Sequence, residues 1–152
     1  MFNQFFDRVK AGDFEPTSSM LVLELQRKFF ENFGLVLRVY KGKQLADEKL
    51  MLSQVANLDD VSAAKLKIKA TMTVGEVEEA FKATFNITVQ ISNEYETYLI
   101  NNKYTIGQAM RKEDVLDHCK KLGFKSIEDW LATTEFSSLD DYYRNERSKK
   151  SH

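Results

Sequence analysis

Two stretches of the chain repeat one another at a fixed distance. Met20, Val22, Glu24, Phe29 and Phe33 recur 52 positions on as Met72, Val74, Glu76, Phe81 and Phe85, and Leu35, Leu37 and Val39 recur as Ile87, Val89 and Ile91. After a two-residue insertion the match resumes 54 positions on, where Leu45, Leu52 and Gln54 become Leu99, Ile106 and Gln108. Nearly all the matched residues are core types, so the repeat constrains a fold and says nothing of a reaction. It predicts one supersecondary unit used twice, with both apolar faces buried in a common interior.

Each unit opens with a helix. Val22, Leu25, Phe29 and Phe33, and likewise Val74, Val77, Phe81 and Phe85, advance by three, four and four, which stacks them in one stripe. Thr73 and Glu76 form a reciprocal capping box at the second start, which the first lacks. Gly34 and Asn86, the residues that best tolerate a left-handed backbone, end the two helices. Strands follow in LVLRVY (35–40) and ITVQIS (87–92), where apolar residues alternate. Lys41-Gly42-Lys43 reads as a tight turn, and Asn93-Glu94 as a hairpin leading into an extended return strand, YETYLI. Lys65-Leu66-Lys67-Ile68-Lys69 alternates as a strand with its lysines in water, and the short FEPT around Phe14, with Pro16, is its N-terminal counterpart.

Three further segments flank the repeats. Phe2, Phe5, Phe6 and Val9 make one face of a short N-terminal helix, which with a strand occupies residues 1–18 and docks on the core. After the repeats at 19–70 and 71–110, residues 111–145 read as a helical region. Val115, Leu116, Cys119 and Leu122 form a helix face ending at Gly123. A smaller echo follows, Phe124 to Trp130 against Phe136 to Tyr142, with Ser126 and Ser138 as N-caps. Residues 146–152 lack apolar side chains and read as a disordered tail.

A chain of 152 residues, 43% hydrophobic with eleven Phe, can fill one shared core. No run approaches the roughly 20 apolar residues that a membrane-spanning helix needs. The N-terminus lacks an apolar secretory core, and the single Cys119 cannot form an internal disulfide, so a cytoplasmic location is expected. Net charge is −1, giving no global attraction to nucleic acid. The first repeat carries nine Lys/Arg against six Asp/Glu and the second two against five, so the units differ in sign.

The segment YKGKQLADEKLMLSQVANLDDVSAAKLKIKA carries Tyr40, Gly42, Lys43, Gln44 and Leu45, then Leu52-Ser53, then a strand at Leu66 and Ile68. It resembles the second half of ubiquitin-like proteins, where a strand turns through glycine into a short Lys-Gln-Leu strand, a one-turn helix headed by Leu-Ser, and a final strand. The helix at 22–33 falls where that family's central helix lies. The resemblance covers residues 20–70, echoes weakly over 71–110, and implies a β-grasp-like architecture. Val39 fits one position of the family's apolar partner-binding patch, whereas the position near Lys69 is charged. No hairpin precedes either helix and no terminal Gly-Gly follows, so conjugation is not implied.

Catalysis finds little support. Asp117-His118-Cys119 are consecutive on a helix and point about 100° apart, so they cannot converge on a metal or form a nucleophile with its base. Asp114 can pair with His118 on the surface, Cys119 belongs to the apolar face, and His152 lies in the tail. The acidic neighbours Asp59-Asp60, Glu78-Glu79, Glu128-Asp129 and Asp140-Asp141 do not face one another, and the last two suit helix starts. No metal or cofactor is called for. Binding is better motivated: Tyr40, Tyr95, Tyr98 and Tyr104 fall on the predicted hairpins, and tyrosine joins a rigid apolar ring to a polar tip. The expectation is an α+β protein of duplicated β-α-β-β-α units, β-grasp-like, with a helical C-terminal region. It is a non-enzymatic module that contacts another protein, or a second copy, through these tyrosines and a sheet edge. The alternative is nucleic-acid binding through Lys41, Lys43, Lys65, Lys67 and Lys69, although edge-strand lysines that discourage aggregation need no ligand and are the favoured explanation.

Overall fold

A computed structural model describes residues 14–56 and 65–150. The stretch with Phe2, Phe5, Phe6 and Val9 lies outside these residues, as do Asp59-Asp60 and His152. The first unit contains α1 (Val22–Phe33), β1 (Val36–Lys41), β2 (Gln44–Leu45) and α2 (Leu52–Ala56). The second contains α3 (Val74–Phe85), β3 (Thr88–Ser92) and α4 (Ile106–Met110). Then come α5 (Glu113–Lys121), α6 (Ile127–Leu131) and α7 (Leu139–Lys150). This is a small α+β arrangement, a β-α-β-β region followed by a helix-rich C-terminal region.

The stripes behave as their spacing dictates. Val22, Leu25, Phe29 and Phe33 of α1 and Val74, Val77, Phe81 and Phe85 of α3 are all buried. Gly34 (φ 67°) and Asn86 (φ 57°) end these helices in the left-handed region, returning their N–H groups to the carbonyls of Phe30 and Lys82. Thr73 and Glu76 complete the capping box. At the start of α1 the side chain of Leu21 cannot accept a hydrogen bond, so only half the box remains, the Leu21 N–H donating to Glu24 Oε1 at 3.4 Å.

The sheet has the order β2-β1-β3, antiparallel throughout. Its β1–β3 ladder is centred on Arg38 opposite Gln90, residues 52 apart, so that Leu37 meets Ile91 and Val39 meets Val89. A separate contact pairs Phe14 with Ile68 and Thr17 with Lys65, a register that sets Glu15 opposite Lys67, again 52 apart. In both contacts the central pair is separated by the offset at which the sequence repeats. Finer bonds repeat at the two offsets of the sequence, one partner displaced by 52 and the other by 54. Val22 N–H to Leu50 O recurs as Val74 N–H to Tyr104 O, Leu52 N–H to Met20 O as Ile106 N–H to Met72 O, and Ala46 N–H to Val39 O as Ile100 N–H to Ile91 O. Helices cross-pack between halves too, α1 against α4 and α2 against α3. One buried cluster contains Phe29, Phe33, Phe81 and Phe85 together.

Three expectations change. The extended return strand over 95–100 is replaced by a tight loop with a single bridge, Ser92 to Leu99. Its cause is the buried Asn93, whose Oδ1 accepts the N–H of Thr97 (2.8 Å) while Nδ2 donates to Thr97 Oγ1 (2.8 Å), curling the chain before it can extend. Residues 65–69 keep the predicted alternation of exposed lysines and buried Leu66 and Ile68, and among the described residues their strand pairing is limited to bridges with Phe14 and Thr17. Finally, α7 runs through to Lys150, where composition alone reads as disordered. Acids Asp140 and Asp141 in its first turn suit the helix dipole, and Lys149 pairs with Glu146.

Candidate interaction site

The four tyrosines part company. Tyr40 stands on the sheet face opposite the core, its hydroxyl donating to Gln90 Oε1 at 2.7 Å and its ring under the Arg38 guanidinium. Tyr95, Tyr98 and Tyr104 turn instead toward the C-terminal helices. A second cluster forms there around Val115, Cys119 and Tyr143, with Tyr95, Tyr98, Trp130 and Tyr142 packed against it. Tyr143 stacks on Tyr95 (centroids 6.2 Å apart) and tilts against Tyr98 (5.8 Å), while Tyr142 meets Trp130 edge to face at 4.8 Å.

Between this cluster and the second unit lies a groove of about 370 Å³. Tyr98, Leu99 and Tyr104 form one side, and Trp130, Tyr142 and Tyr143 another, with Asp114 and His118 of α5 between. Leu99, 48% exposed, stands at its border. Two carboxylates fix the tyrosine hydroxyls: Tyr98 donates to Asp114 Oδ2 at 2.9 Å and Tyr104 to Asp117 Oδ2 at 2.7 Å. Asp114 is thus held by Tyr98. Burial, then the neighbouring Tyr143 and Asp114, pushes the Tyr98 phenol far up. The bond to Asp117 raises Tyr104 to about 12, and burial raises Tyr143 to about 12, so all three stay neutral donors at physiological pH.

Little here serves covalent chemistry. Cys119 is buried, and burial followed by the charge of Glu128 pushes its thiol up, away from the nucleophilic thiolate. Among the described residues no cluster of His, Cys, Asp and Glu has the makings of a metal site, and no helix is long and apolar enough to cross a membrane. The lysines are all exposed but belong to separate places: Lys41 and Lys43 flank the β1–β2 turn, whereas Lys65, Lys67 and Lys69 lie on or beside the segment paired with residues 14–17.

The sequence reading names Tyr98 and Tyr104 as contact residues but not Asp114, Trp130, Tyr142 or Tyr143, which line the same groove. The available signal was the short echo that places Trp130 and Tyr142 at matching positions of two capped helices. No protein-family model matches the chain, and neither does any curated protein or solved structure.

Proposed function

We propose that the chain is a protein-interaction module without enzymatic activity, and that its contact surface is the aromatic groove between the second unit and the C-terminal helices. The observation that carries this reading is the groove's make-up: rigid rings with hydroxyl tips, held in place by carboxylates, around a space sized for one or two side chains. Such surfaces bind tightly because little side-chain freedom remains to be lost. Behind the groove each half of the chain runs helix, strand, short helix, with hydrogen bonds recurring at the offsets of the sequence, 52 for one partner and 54 for the other. A duplicated ancestral block accounts for that recurrence. The glycine turn at Gly42 (φ 65°) and the short helix headed by Leu52 and Ser53 support a β-grasp-like origin for the block.

Truncating Tyr95 or Tyr98 is a poor test, since both pack on Tyr143 and their loss loosens the C-terminal cluster. Leu99 is the better position, being half exposed at the groove's edge. Leu99→Lys is expected to release the proteins captured by the wild-type chain, while Leu45→Lys, at its sequence equivalent on β2 and not among the groove's lining residues, retains them. Capture unchanged by Leu99→Lys removes the groove as the contact surface.

A further inference from the structure

We infer that the groove seats the basic side chain of a partner protein, lysine in the first instance; this rests on the groove being the docking surface proposed above. Aromatic faces carry the negative end of the ring quadrupole and attract cations. The chain's own bases already show the preference in this region, Lys103 lying over the ring of Tyr104 at 5.6 Å and Arg144 over that of Tyr95 at 6.0 Å. Among the described lining residues there is one carboxylate, Asp114, and no lysine or arginine. An anion entering the groove therefore meets a like charge and repelling ring faces.

Asp114 adds a charge. Its Oδ2 accepts from Tyr98 and its Oδ1 is shut off from water, hence also from a guest in the groove, so the carboxylate acts through its field: an ammonium group in the groove lies near an opposite charge, from which an apolar guest gains nothing. The four-carbon stem of lysine, meanwhile, suits the apolar walls given by Leu99, Trp130 and Tyr142.

Trp130 is the chain's only tryptophan, so its fluorescence reports what occupies the groove. The full chain is titrated with three probes. N-acetyl-lysine N-methylamide carries stem, ammonium and peptide groups; the norleucine equivalent lacks the ammonium; n-butylammonium lacks the peptide. The lysine probe is expected to bind at least about threefold more tightly than the norleucine probe, the size of a modest cation–π gain. Asp114→Asn, its folding checked by circular dichroism and thermal melting, is expected to abolish the preference. Should that variant fail to fold, the wild-type preference must shrink at high salt, and a preference untouched by salt overturns the inference. Equal binding of the norleucine probe also overturns it while leaving the groove as a docking surface. Binding of n-butylammonium as tight as that of the lysine probe makes the guest a free amine and overturns the assignment to a partner protein. No Trp130 response to any probe overturns both this inference and the reading beneath it.

Discussion

Gln26 of α1 donates its side-chain amide to the Leu37 carbonyl at 3.0 Å, satisfying β1 beyond the reach of the two-residue β2. Fifty-two positions on, the same places hold Glu78 and Val89, which line a shallow groove together. A carboxylate has no N–H to offer that carbonyl, and burial raises the Glu78 pKa above its ordinary 4.5. Glu78→Gln is accordingly expected to add about 1 kcal/mol, read from denaturant unfolding at neutral pH. The sign with pH is fixed. A carboxyl with a raised folded-state pKa holds its proton better folded than unfolded, so wild-type stability falls as pH climbs from the unfolded value through the folded one. The advantage of the glutamine variant should therefore widen from acid to neutral pH; an advantage constant across that range contradicts the assignment. Glu78 was visible in the sequence only as one of two adjacent acids. Its conflict with Val89 emerges once Gln26 shows what the position does in the other half.

Caps offer a parallel comparison. In α4, Thr105 and Gln108 close a full box, the Thr105 N–H to Gln108 Oε1 at 2.9 Å and the Gln108 N–H to Thr105 Oγ1 at 3.0 Å. The equivalent start of α2 has Met51, which keeps only the bond from its own N–H to Gln54 Oε1 at 2.8 Å. Met51→Thr should restore the second bond and raise stability by about 1 kcal/mol, seen as a higher melting temperature; an unchanged or lower one refutes it. The helices α1 and α3, their ends, and the strands β1 and β3 were readable because each is fixed by local periodicity and cap chemistry. Loop 93–99 was not, since alternating Tyr95, Thr97 and Leu99 mimic a strand and the decision belongs to one buried asparagine side chain. Nor was the groove: its walls come from residues 98–104, α5, α6 and α7, joined only by tertiary packing.

Among the described residues there are two apolar clusters of unequal strength. The larger draws on both halves and holds four fully buried phenylalanines; the smaller has only Val115, Cys119 and Tyr143 fully inside, and α6 buries no residue at all. Amide hydrogen exchange should therefore show α6 opening with far less protection than α1 and α3, and equal protection would mean the clusters unfold as one. The registers between the halves also fix which residues face each other. Were the halves identical, the residue at the centre of each register would confront its own twin, arginine against arginine in the ladder and lysine against lysine, or glutamate against glutamate, in the outer contact. Here Arg38 faces Gln90 and Glu15 faces Lys67, mixed partners rather than like ones. A half released and left to pair with itself in this register would set like charges side by side, so each half is matched to the other and not to itself.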